Sequence, residues 1–217
     1  MAKNTEFGKV GDMVYKGTTT LAIVCQNGVI FGTDTRVTMG YFIAHKRGKK
    51  VYRIDDHLAM TIAGVVADAQ NVVEILKANS NLFRLENGRP MPVSAASRLA
   101  ANMLFPARGA LMLQALIGGV DDSGAHIFDI DPLGSVIEEK CVSTGSGSPV
   151  AYGVLEDKYR ENMSTEEGLA LVVSAVTSAM KRDAGSGDSF DIVIIDKSGY
   201  RELTDEEKRA VQAKIVA

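Results

Sequence analysis

Between residues 18 and 34 the chain carries two apolar runs joined by a turn, and this segment limits the possible folds more than any other. Thr19, Leu21, Ile23 and Cys25 alternate with Thr20, Ala22 and Val24; Gln26-Asn27-Gly28 interrupts the run, and Val29 to Thr33 resume it. Asn-Gly between two such runs is a strong hairpin signal. Both faces of the first strand are apolar, so it belongs in a sheet covered on both sides, by helices or by a second sheet. The turn admits two registers. A three-residue turn pairs Cys25 with Val29 and sets Asp34 diagonal to Thr18 on one face, whereas a two-residue turn points Asp34 to the other face. Only the first builds a site from Thr18 and Asp34.

Further strands are predicted at 50–54, 57–62, 111–118, 125–130, 135–142 and 190–196. Helical periodicity places Val66, Ala69, Val73 and Leu76 on one face after Gly64, and Leu169, Val172, Val173, Val176 and Met180 on one face after Ser164. Ser164-Thr165-Glu166-Glu167 and Thr204-Asp205-Glu206-Glu207 are capping boxes that open helices. Residues 94–104 and 149–161 are predicted helices as well. This order lacks regular βαβ alternation, which argues against a doubly wound sheet and for a layered α+β fold.

The chain has 217 residues, 46% hydrophobic and 24% charged, which excludes disorder and fits one domain with a sizeable core. A net charge of −3 leaves no footprint for nucleic acid, and no basic run points to a membrane surface. No apolar stretch approaches the roughly 18 residues of a membrane span. The leader carries Lys3, Glu6, Lys9, Asp12 and Lys16 and has no apolar core, so it does not read as a secretory signal. Cys25 and Cys141 lie apart in apolar stretches, in keeping with a reducing compartment. The expectation is a soluble, cytoplasmic chain.

His45, His57 and His126 are isolated, without metal-ligand spacing, so neither a metal nor a cofactor is expected. Gly145-Ser146-Gly147 and Gly185-Ser186-Gly187 match neither a dinucleotide fingerprint nor a phosphate loop, and neither serine sits in a Gly-x-Ser-x-Gly elbow. Lys46-Arg47-Gly48-Lys49-Lys50 reads as a solvated loop whose last lysine borders the apolar Val51. More is carried by Lys16-Gly17-Thr18-Thr19-Thr20, where a polar leader ends in glycine and an apolar strand starts with threonine. Threonine suits a strand start in any protein. Alternatively, cleavage of Gly17–Thr18 would free an amine beside the Thr18 hydroxyl, giving a nucleophile its own base. Such an amine has a pKa of about 7.7–8.0, suited to general-base work near neutral pH.

The junction, with Gly32-Thr33-Asp34-Thr35-Arg36-Val37-Thr38, the 45–50 segment, Thr61-Ile62-Ala63-Gly64, the 143–148 segment and Arg182-Asp183-Ala184-Gly185-Ser186-Gly187, resembles proteasome β subunits of the archaeal type. The likeness runs in order along the whole chain from Thr18. It implies an αββα sandwich of two antiparallel sheets, the N-terminal-nucleophile hydrolase fold. It also implies a propeptide, residues 1–17, removed by autolysis at Gly17–Thr18, and a single catalytic domain, residues 18–217.

By the same resemblance Thr18 is the nucleophile, Lys50 lowers its pKa, Asp34 holds Lys50 by an ion pair, and Gly64 supplies an oxyanion N–H. Ser146, Asp183 and Ser186 match positions that support the threonine amine and its water. Val37, Ile62 and Val66 would line the pocket for the side chain before the cut bond, with Tyr52 and Gln70 at its far end. The implied partners are further β subunits in seven-membered rings, proteasome α subunits in capping rings, a regulatory ATPase docking through those, and unfolded polypeptides as substrates. Two rivals stand beside this reading: a serine acyl hydrolase using Ser146 or Ser186, and a non-catalytic ring subunit. The latter predicts loss of Thr18, Lys50 or Asp34, and all three are present.

Overall fold

The computed structural model describes residues 17–107 and 110–216, so residues 1–16 of the expected leader lie outside the described part. Strands β1 (Thr20–Cys25) and β2 (Gly28–Asp34) form the hairpin, and all seven residues of β2 are buried. Two strands unread in the sequence follow, β3 (Val37–Met39) and β4 (Phe42–His45); they pair only with each other. Next come β5 (Val51–Asp55), β6 (Leu58–Gly64), α1 (Val66–Asn87) and α2 (Val93–Leu104). The second half runs β7 (Leu113–Asp121), β8 (Gly124–Ile130), β9 (Val136–Glu139), β10 (Cys141–Thr144), α3 (Ser148–Lys158), α4 (Thr165–Arg182), β11 (Phe190–Asp196), β12 (Gly199–Glu202) and α5 (Asp205–Val216).

The strands build two five-stranded antiparallel sheets, here sheet I (β10-β1-β2-β11-β12) and sheet II (β5-β6-β7-β8-β9). Three apolar cores define four layers. Ala69, Val73, Leu76 and Ala100 of α1 and α2 pack on Met60, Leu113 and Ile117 of sheet II. Ala22, Phe31, Leu116, Ile127 and Val193 fill the space between the sheets. Leu21, Ile23 and Ile192 of sheet I pack under Val172, Val176 and Ala179 of α4 and Leu155 of α3. The layered α+β expectation and the αββα sandwich are thus both observed. The capping box opens α4, with Ser164 and Glu167 exchanging side-chain and backbone hydrogen bonds. Among the described residues no helix is long and apolar enough to cross a membrane.

Two expectations are corrected. The 135–142 strand is two strands: β9 ends sheet II, and after Lys140 the chain passes to β10 at the edge of sheet I. The hairpin turn has two residues, with Cys25 opposite Gly28 and Thr20 opposite Thr33. Asp34 therefore aligns with Thr19, whose N–H it accepts, and not with the Thr18 face. The site forms all the same, because Asp34 acts at the end of β2 through Lys50, which arrives from sheet II.

Candidate active site

Thr18 lies just before β1, in a region where backbones approach closely. Gly17 is joined to it, and a Cβ built on Gly17 would lie 2.0 Å from the Gly185 Cα. Only glycine at both positions permits this contact. The Gly17 N–H donates to Thr38 Oγ1 at 2.8 Å, which fixes the residue on the β3 side. The Thr18 hydroxyl donates to the Gly17 carbonyl at 2.7 Å, so the potential nucleophile already faces the bond expected to be cut.

On one side of Thr18 stands a buried ion pair. Lys50 Nζ lies 2.5 Å from Asp34 Oδ1, and the two side chains are 5% and 0% exposed. Asp34 also accepts the backbone N–H groups of Thr19, Arg36 and Gly187, so both oxygens are fully used. Four donors, counting Lys50, fix the Asp34 carboxylate in place. Burial pushes the Lys50 ammonium below the usual lysine range; the Asp34 charge and hydrogen bond, and Asp183 further off, pull it back up.

On the other side is a chain of hydroxyls. The Thr18 N–H donates to Ser146 Oγ at 3.1 Å, and Ser146 Oγ donates to Asp183 Oδ2 at 2.6 Å. Ser186 Oγ meets the same carboxylate oxygen at 2.6 Å and the Thr19 hydroxyl at 2.7 Å. Ser146 and Asp183 come from loops flanking α3 and α4, which converge because those helices lie together on sheet I.

A cavity of about 30 Å³ is lined by Thr18, Lys50, Gly64, Val37, Ile62 and Val66, together with Gly17, Arg36, Thr38 and Lys49. Gly64 has φ +136°, and a Cβ there would meet the Met112 carbonyl oxygen at 2.0 Å; the glycine lets β6 turn sharply into α1 beside Thr18. The sequence-predicted residues thus converge, with two exceptions. Tyr52 packs against the core beneath α1 and Gln70 is exposed, so neither lines this cavity. The space holds about one or two waters rather than a large side chain. Arg36, Thr38 and Thr19 gained no role from the sequence; Arg36 joins Asp188 at 2.9 Å and the Ala184 carbonyl, clasping the 184–188 loop beside the site. Thr38 lies in β3, a strand too short to show a period. Among the described residues no group of His, Cys, Asp and Glu could hold a metal ion.

Two antiparallel sheets between helix layers, with a threonine at the mouth of the sandwich beside a buried lysine–aspartate pair, define the class: an N-terminal-nucleophile hydrolase sandwich. The family model described as proteasome subunit matches residues 14–195. The chain is similar to proteasome subunit beta of Ferroglobus placidus, 48% identical over 208 residues, covering 95% of this chain and 99% of that one. It is similar to proteasome subunit beta of Methanosarcina barkeri at 46% (94% and 98% covered), and to proteasome subunit beta 2 of Nitrosopumilus maritimus at 45% (93% and 97%). The chain belongs to the proteasome subunit family.

Proposed function

We propose that Thr18 is the nucleophile with which this chain, a catalytic β subunit of the proteasome core and a threonine endopeptidase, hydrolyses peptide bonds. The observation that carries this reading is the Thr18 hydroxyl 2.7 Å from the Gly17 carbonyl oxygen, beside the buried Lys50–Asp34 pair. Residues 1–17 are a propeptide. Thr18 Oγ attacks the Gly17 carbonyl carbon, the acyl group shifts from nitrogen to oxygen, and water hydrolyses the ester to leave a Gly17 carboxylate and a free Thr18 amine. In turnover that amine, through a water, takes the Oγ proton as Oγ attacks the substrate carbonyl. The proton passes to the leaving amine, and a second water hydrolyses the acyl ester.

Lys50 lowers the hydroxyl's pKa by its charge, Asp34 holds Lys50, and the Gly64 N–H receives the oxyanion. Removing such an oxyanion donor costs about 2.7–4 kcal/mol of barrier. Ser146, Asp183 and Ser186 orient the amine and its water. Val37, Ile62 and Val66 receive the side chain before the cut bond. Val37, on a two-stranded hairpin outside both sheets, forms one wall of this small cavity. Its aliphatic walls favour large apolar side chains, at roughly 1.5–3 kcal/mol for a fully buried one. The subunit assembles into the core with other subunits; we assign it to seven-membered β rings capped by α rings that dock a regulatory ATPase, in the cytoplasm, acting on unfolded chains.

The test is the intact mass of the subunit in the assembled particle. Loss of residues 1–17 from 217 leaves 200 residues. Thr18→Ala should keep the leader and lack peptidase activity; self-processing in that variant, without other active subunits, refutes the assignment.

A further inference from the structure

The proposed catalytic groups stand on different sheets. Thr18 leads into β1 and Asp34 ends β2 in sheet I, while Lys50 leads into β5 and Ile62 and Gly64 lie on β6 of sheet II. The site therefore exists only while the two sheets keep one position relative to each other. Most of the layer between them is apolar, and apolar contact is non-directional. At the site end the inner faces change character. Thr20, Thr33 and Thr144 stand side by side on β1, β2 and β10, and Thr61 of β6 meets them from sheet II; all are 0–1% exposed.

The Thr61 hydroxyl donates to Thr20 Oγ1 at 3.1 Å, and Thr20 and Thr144 share a hydrogen bond of 2.8 Å. Thr20 follows Thr18 by two residues, and Thr144 precedes Ser146 by two. Thr61 pairs with Val51, next to Lys50, and the neighbouring Ile62 N–H bonds the Lys50 carbonyl at 3.2 Å. Three segments that carry the site thus meet at the Thr20 hydroxyl. Thr33 lies on the same inner face directly across from Thr20, yet its hydroxyl has no hydrogen-bond partner among the described residues.

We propose that Thr20, Thr61 and Thr144 are positioning residues whose hydroxyl node fixes the slide of sheet I on sheet II, and with it the placement of Thr18 against Lys50. The inference rests on Thr18 being the nucleophile. A directional bond in a water-free layer specifies position in a way that the surrounding methyl contacts do not. The node also separates stability from catalysis. Removing one hydroxyl strands its partner, whereas replacing all the partners by apolar groups of the same shape is nearly neutral for folding.

The test uses the processed, assembled particle and a fluorogenic peptide. Thr20→Val and Thr61→Val should lower kcat about ten- to a hundredfold, the loss expected of a displacement near 1 Å, with KM little changed. Thr61→Ser should restore kcat. The Thr20→Val/Thr61→Val/Thr144→Val triple variant should recover the melting temperature but not kcat, and it carries the test if a single variant does not assemble. Thr33→Val should leave kcat unaltered. Wild-type kcat in Thr61→Val, recovery of kcat in the triple variant, or an equal loss in Thr33→Val would overturn the proposal. Thr18→Ala run alongside separates the two readings: activity surviving there sinks the nucleophile assignment, while an inactive Thr18→Ala with unaffected node variants sinks the node alone.

Discussion

Gly17 and Gly185 touch through their backbones, and this contact rather than chain flexibility explains why glycine precedes Thr18. Gly17→Ala puts a methyl 2.0 Å from the Gly185 Cα, so the Gly17 carbonyl must move away from Thr18 Oγ. Leader removal should slow by at least tenfold, by analogy with the hundredfold cost of about 1 Å of misplacement, as followed by gel or mass over time. Asp34 is the second residue on which much depends. With four donors on a fully buried carboxylate, Asp34→Asn turns an amide N–H₂ toward one set of donors and leaves the Lys50 charge uncompensated. Peptidase activity should vanish and the chain should lose about 3–5 kcal/mol in denaturant unfolding. A variant with near-normal turnover would show that the pair is not needed.

Among the elements, β2 is the most enclosed: every residue is buried, and it is bonded to β1 on one side and β11 on the other. Its amides should exchange with deuterium among the slowest in the chain, since only near-global opening exposes them. The Asn-Gly signal located this hairpin, but its register followed from tertiary pairing: β11 and β10 flank it and dictate which residues face the helices. The β9–β10 break was invisible for a related reason: Lys140 alone lies between the strands, no Gly or Pro marks a turn there, and only the change of sheet separates them. Cys25 and Cys141 lie near each other where β1 meets β10, under α3 and α4, and burial pushes their thiols up to about 11 and about 12. At pH 8 about one Cys25 thiol in a thousand is ionised. Alkylation by iodoacetamide should therefore be slow in the native protein, and it should accelerate when the chain is unfolded or when the pH rises toward 11.

In the whole molecule, the site belongs to the mouth of the sandwich and to neither sheet alone. Thr18 comes from one sheet, Ile62 and Gly64 from the other, and Val37 from the hairpin outside both. Ile62 also anchors the core beneath α1, so pocket size and packing are linked there. Ile62→Ala should widen the cavity and shift preference toward tyrosine over leucine before the cut bond. A discrimination of about 1–3 kcal/mol per methylene sets the scale. The readout is the ratio of kcat/KM for two fluorogenic peptides, together with a stability loss of about 2–5 kcal/mol. An unchanged ratio would remove Ile62 from the pocket.

The sequence by itself determined most of the elements and singled out the candidate site residues. Alternation and periodicity are local, so the long strands, the helices and their capping boxes could be read from spacing. Thr18, Asp34, Lys50, Gly64, Ser146, Asp183 and Ser186 each stand in a short motif that survives without coordinates. Only the tertiary structure decided how those motifs meet. Strand register, the crossing from sheet II to sheet I after Lys140, the wall formed by β3 and the narrowness of the cavity depend on contacts between residues far apart in the chain. Such contacts leave no period in the sequence. A three-residue strand such as β3 is too short to show one, and a hydroxyl like that of Thr61 reads as an ordinary strand residue until its partner on the facing sheet is in place.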